Sequence, residues 1–192
     1  MTGSTKKTII ASFMHLAAKK PLEKITVRDI VDDCGINRNT FYYHFQDIYA
    51  VLEAVCLGGT TAGINTALPL GEMLCELFLV LTAYAERHHK AVQHIAASIG
   101  QSGAERYFAA GFDAPVYEVL QKEAPHAPDD MLRTATVFLR HAFIGLYVDF
   151  IHAGGKINST RLSERIALLS DGIVHALRSA APTPFLAKGE IK

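Results

Sequence analysis

Residues Thr26 to Phe45 read TVRDIVDDCGINRNTFYYHF, and this stretch predicts two short helices joined by a tight turn. Thr26 is an N-cap by residue type, and Asp29, three residues on, completes a short capping box. Ile25 and Ile30 bracket that cap as a hydrophobic staple. Ile30, Val31 and Cys34 define an inward face, and Gly35 ends the helix where a positive φ is easiest to supply. Asn37 is a second N-cap, stapled by Ile36 and Phe41, and Phe41 and Phe45 lie four apart on one face of the second helix. Arg38, Asn39, Thr40, Tyr42, Tyr43 and His44 are left for its other faces. All six can donate hydrogen bonds and none is an acid, the pattern of a helix that enters the major groove. Base edges are expected to fall to Arg38, Asn39, Thr40 and Tyr42, and phosphates to Thr26, Arg28, Tyr43 and His44. Asn37, at the helix start, belongs to the same interface.

Working outward, the run GINRNTFYYHFQD, preceded by ITVRDIVDDC, resembles the helix-turn-helix signature of the TetR family of bacterial transcriptional regulators (TetR/AcrR type). The motif covers about a quarter of the chain. The resemblance implies an all-α protein of about nine helices. It divides the chain into a three-helix DNA-binding domain (1–50), a regulatory and dimerisation domain (51–181) and a flexible tail (182–192). It further implies a homodimer on a palindromic operator, with repression the commoner outcome and release by a small-molecule effector. One position departs from the pattern: after Gln46-Asp47 the family carries a lysine that reaches a DNA phosphate, and this chain has Ile48.

Composition fits such a protein. The 192 residues are 49% hydrophobic with a mean hydropathy of +0.16, which suits a helical chain with an internal cavity or a large subunit interface. No apolar run is expected to span a bilayer, no signal-type apolar core follows the N-terminal MTGSTKK, and a cytoplasmic location is expected. Cys34, Cys56 and Cys75 form no CxxC pair and read as small buried hydrophobes. Net charge is zero. Residues 1–50 hold seven Lys and Arg against five Asp and Glu, a surplus of two, so phosphate attraction must be local and supplemented by neutral donors. A shallow salt dependence follows.

Apolar spacing predicts a first helix over Thr5–Lys20, stopped by Pro21, with residues 1–4 outside it. Asp47 caps a fourth helix, which Gly58 and Gly59 are expected to interrupt. A fifth runs from Leu70 to His88 and a sixth over Lys90–Ser98; Gly100 and Gly103 mark a loop before a seventh over Ala104–Glu123, broken or bent near Gly111 and Pro115. The eighth, Asp129–Ala153, is apolar nearly all round. The ninth, capped by Ser159 or Thr160, reaches Ala181. Two helices with several apolar faces need several partners. Leu139, Phe143, Leu146 and Phe150 on the eighth, with Leu162, Ile166, Leu169, Ile173 and Leu177 on the ninth, are therefore expected to meet a second copy across a two-fold axis.

The family's apolar cavity lies among its fifth to eighth helices. On this chain the resemblance puts Leu77, Leu81, Tyr84, Phe108, Phe112, Phe138, His141 and Tyr147 there. No two of the nine histidines have the i,i+3 or i,i+4 spacing of a helical metal pair, so neither a metal nor a cofactor is expected. No nucleophile–base pair, phosphate cradle or paired carboxylate points to catalysis, and no enzyme activity is expected. A second reading has the regulator, as repressor or activator, controlled by a protein partner. The C-terminal half resembles that of activators of dihydroxyacetone-kinase operons, which act with a companion protein.

Overall fold

The computed structural model of the chain describes residues 2–154 and 156–180. Among them the chain forms eight α-helices and no strand. They are α1 (Thr2–Ala17), α2 (Val27–Cys34), α3 (Arg38–His44), α4 (Ile48–Gly63), α5 (Leu70–Arg87), α6 (His89–Glu123), α7 (Asp129–Ala153) and α8 (Ser159–Ser179), with a 3₁₀ turn at Leu22–Lys24. Helices α1–α3 form a head. Helix α1 also packs against α4 and α6, and in the body α5 lies along α8 and α6 along α7.

The body is built on aromatic and aliphatic burial. Phe78 on α5 is fully buried and meets Phe143, Tyr147 and Phe150 of α7 edge-on, with ring centroids 5.6, 6.4 and 6.2 Å away. One carboxylate ties three helix ends together. Glu123 Oε1 accepts from Leu70 N at 2.7 Å, taking up a free N–H at the start of α5. Arg178 near the end of α8 donates to Glu123 O at 2.7 Å and to Glu123 Oε2 at 3.2 Å.

Several expectations need correction. The sixth and seventh helices follow each other without a loop as α6, but they meet at a kink where expected, at Gly100 (φ 61, ψ −174). That conformation is essentially restricted to glycine. Helix α6 therefore acts as two segments divided at Gly100, whereas the bend expected near Gly111 and Pro115 is absent, both residues sitting inside regular helix. Helix α4 runs unbroken through Gly58 and Gly59. A Cβ on Gly59 would come within 3.2 Å of Leu81 Cδ2, so the lack of a side chain there gives α5 room, and tertiary packing overrides the low helix propensity. Helix α1 starts at Thr2 and ends at Ala17, displaced toward the N-terminus from Thr5–Lys20. Asn158, not Ser159 or Thr160, caps α8, accepting from Arg161 N. Helix α7 is, by length and composition, apolar enough to cross a membrane (mean hydropathy 1.3 over its best window), contrary to expectation. Within the chain 44% of that window is buried, with Leu139, Phe143, Ile144 and Phe150 covered and Val137 and Phe138 left exposed. The expected tail, 182–192, lies outside the described residues.

Candidate nucleic-acid interface and internal cavity

The α2–α3 pair is held by the local devices its sequence predicts. Thr26 Oγ1 accepts from Asp29 N at 3.2 Å, and Asp29 Oδ2 accepts from Thr26 N at 2.8 Å, a complete capping box. Gly35 takes φ 68 and returns its N–H to Val31 O, and Ile36 N does the same at 3.1 Å. Asn37 Oδ1 then caps α3, accepting from Thr40 N at 2.8 Å and Thr40 Oγ1 at 3.0 Å. Phe41 is fully buried and Phe45 nearly so. Lys20 from the turn after α1 reaches Asp29 Oδ2 at 2.8 Å. That ammonium, with the Thr26 hydroxyl and N–H, holds the Asp29 carboxyl at about 2, well below the usual carboxylate range. The head is thus clamped through one carboxylate.

The polar side of α3 faces out. Tyr42 is 56% exposed and Tyr43 76%, unusual for tyrosines in a folded chain. Arg38 and Asn39 are exposed beside them, while Thr40 and His44 are half-buried. Tyr43 and His44 meet edge to face with centroids 5.0 Å apart, which limits the freedom of both rings. Three expected contact residues already have internal work. Thr26 Oγ1 donates to Asp29 Oδ2 at 2.7 Å. Thr40 Oγ1 donates to Asn37, whose amide nitrogen alone is left for an outside group. Arg28 Nε lies 3.5 Å from Asp32 in a fully exposed pair worth little. Ile48, in place of the family's lysine, is half-buried and packs against the core at the start of α4. Lys6 lies over the Phe45 ring at 5.5 Å, holding one ammonium of α1 close to the end of α3.

Behind the head, residues of α1, α4, α5, α6 and α7 line a partly open cavity of about 70 Å³. Of the eight expected lining residues, Leu81, Tyr84, Phe108 and Tyr147 line it. Leu77 and Phe112 are ordinary core, fully buried away from it, and Phe138 and His141 are surface residues on α7. His141 faces Glu105 at 3.1 Å instead. The sequence reading missed Met14 of α1, Leu52, Val55 and Cys56 of α4, and Ile95 and Ala96 of α6. Nothing in their spacing separates them from core residues. Burial pushes the Cys56 thiol up to about 12 and the Tyr147 phenol higher, so both stay neutral. The Tyr147 hydroxyl donates to Leu81 O at 3.3 Å.

The first segment of α6 joins this cavity to the head. Val92, Ile95, Ala96 and Ile99 line the cavity. From the same segment, His94 Nδ1 donates to Ala17 O at 2.7 Å and Ser98 Oγ accepts from Leu22 N at 3.3 Å.

The expected face between copies also changes. Leu139, Phe143, Phe150, Ile166 and Leu177 are buried within their own chain, so they are not available to cover another. Leu146, Leu162 and Ile173 are half-buried against the same core. Of the nine only Leu169 is open, at 68%; elsewhere on the two helices Leu168 (72%) and Phe138 (61%) are also exposed. Among the described residues no cluster of three His, Cys, Asp or Glu side chains could hold a metal ion.

An all-α chain with an N-terminal helix-turn-helix ahead of a helical body is the architecture of a regulator class, and the comparisons agree. Residues 9–55 match the model for "Bacterial regulatory proteins, tetR family". Over 51 residues the chain is 37% identical to the uncharacterized HTH-type transcriptional regulator YerO of Bacillus subtilis (strain 168), covering 27% of this chain and 18% of that protein. Two solved structures share the fold over nearly the whole chain. One is the dihydroxyacetone kinase operon activator DhaS (TM-score 0.66, 20% identity, 90% of this chain and 97% of that one). The other is a TetR transcriptional regulator from Streptococcus agalactiae 2603V (TM-score 0.61, 20% identity, 88% and 94%). Residues 9–55 thus carry a DNA-binding segment of the TetR type, and the helical body shares the fold of these solved regulators.

Proposed function

We propose that this chain is a DNA-binding transcriptional regulator, a homodimeric repressor that binds a palindromic operator and is released by a small effector in the body. The observation that carries this reading is the acid-free, exposed side of α3, with Arg38, Asn39, Tyr42 and Tyr43 on a helix whose other side is anchored by Phe41 and Phe45. Arg38 and Asn39 suit base edges, the tyrosines suit thymine methyls and phosphates, and Lys6 and the N-terminus of α3 add local positive charge.

The second copy would cover Phe138, Leu168 and Leu169, which a lone chain leaves in water. Two heads set by that interface would meet half-sites one helical turn apart. The effector would act through the first segment of α6. An occupied cavity presses on Ile95, Ala96 and Ile99, and His94 and Ser98 carry the shift to the end of α1 and to the turn before α2. Gly100 lets that segment move apart from the rest of α6. The effector shifts the equilibrium only as far as it prefers the released state.

The alternative, control by a protein partner, draws on the small cavity, about 70 Å³, where small-molecule sites are usually ~300–1,000 Å³. Selection of genomic DNA by the purified chain tests the main reading. A recovered palindromic sequence supports it, and recovery of no common sequence overturns it. Metabolite extracts that weaken DNA binding favour the effector; release only by a co-purifying protein favours the partner.

A further inference from the structure

We propose that the effector is an amphipathic anion, held with a short apolar tail in the cavity and its charged head in a basic groove beside it. This rests on the effector reading above and names the ligand's chemistry. The cavity walls are almost wholly apolar, and their polar groups, Cys56, Tyr84 and Tyr147, carry no charge to pair with an anion. At about 70 Å³ the cavity accepts a short chain of carbons, since one water needs about 10–15 Å³ of such space.

The adjoining groove carries the charge that the cavity lacks. It offers about 540 Å³ between α1 and the corner where α5 meets α6. Lys7, His15, Arg87, His88, His89 and Lys90 line it, and among the described lining residues there is no carboxylate. His15 is matched by Asp33 at 3.0 Å, but Lys7, Arg87 and Lys90 form no ion pair among the described residues. Three cations converging on one groove without a counter-charge suit a carboxylate or a phosphate ester.

The two spaces share Met14 and Tyr84. Met14 is an unbranched thioether that can turn aside, and the half-buried Tyr84 stacks on His88 with centroids 4.5 Å apart. A ligand threaded past Met14 would touch α1, α4, α5 and α6 together, bridging head and body. The two spaces complement each other: the groove holds the cations, and the cavity is too apolar for a charged head.

Calorimetric titration of the full chain tests the assignment with hexanoate, hexyl phosphate, hexan-1-ol, acetate and inorganic phosphate. One or both six-carbon anions should bind more tightly than hexan-1-ol and than either small anion, and the tighter of the two identifies the head group. The pair Arg87→Gln and Lys90→Gln, both exposed residues, should weaken the anions about tenfold and leave hexan-1-ol unchanged. Ala96→Leu, which fills the cavity, should weaken hexanoate and hexan-1-ol alike. Equal binding of hexan-1-ol and the anions, or anion binding indifferent to the Arg87/Lys90 change, overturns the assignment, as does no binding by any six-carbon probe. Binding of the selected genomic DNA is measured on the same preparation. Retained DNA binding without anion binding overturns this inference alone, and anion binding without DNA binding overturns the regulator reading alone.

Discussion

In the α2–α3 pair every apolar residue has one side to face, whereas in α7 and α8 apolar residues occur on most sides. Ile30, Val31, Phe41 and Phe45 are buried in the small core of the head, Val27 and Cys34 pack at its edge, and the other positions of both helices are polar or tyrosine. On α7, by contrast, Leu139 and Phe143 are buried while Val137 and Phe138 stand in water. The difference lies in where the information sits. In the head, caps, a turn glycine and one amphipathic stripe decide orientation within twenty residues. In the body, orientation is decided by which neighbours arrive, and those neighbours are up to a hundred residues away.

Substitutions should separate the two regimes, beginning with the largest effect. Phe78→Ala empties the middle of the aromatic cluster and should cost about 3–5 kcal/mol of global stability, read by denaturant unfolding. Leu169→Asp should destabilise the association of two copies by more than about 2 kcal/mol with little change in the folded chain, read by sedimentation equilibrium. Leu139→Ala should do the reverse, lowering stability first, because that side chain is already covered. A dimer indifferent to Leu169→Asp would place the contact elsewhere.

In the head, Arg38→Ala or Tyr42→Phe should weaken operator binding by about 1–3 kcal/mol without moving the unfolding midpoint. Thr26→Ala should cost about 1 kcal/mol through the lost cap. The smallest effect concerns pH. Asp29 ionises at about 2 in the folded chain against 3.8 in the free side chain, so its stabilisation is present above pH 3.8 and fades as pH falls toward 2. Asp29→Asn should flatten that part of the acid-unfolding profile, checked by unfolding at a series of pH values.

The head was legible in the sequence nearly residue by residue. Thr26, Asp29, Gly35, Asn37 and Asp47 each cap where their chemistry dictates, Asp47 accepting from Ala50 N at 2.8 Å. The starts of α5 and α7 after Pro69 and Pro128 were equally plain. What stayed hidden was non-local. Periodicity could not tell which of α7's apolar sides the chain itself would cover, so Phe138 was expected inside and Leu139 outside. Propensity could not tell that Gly59 would stay helical at a close approach to α5, where an added Cβ would lie 3.2 Å from Leu81. The cavity's α1 and α4 walls were invisible because Met14, Leu52 and Val55 have the spacing of any core residue. The groove was missed for another reason: Lys7 and Arg87–Lys90 are eighty residues apart and meet only on folding.

The central claim, that the exposed side of α3 reads DNA and is presented twice, is tested most directly by footprinting the chain on a selected genomic fragment. The account predicts two protected half-sites about 10 bp apart, centre to centre, related by a two-fold axis, with protection lost in the Arg38→Ala/Tyr42→Ala variant. A single unpaired footprint, or two half-sites protected equally by that variant, would contradict it.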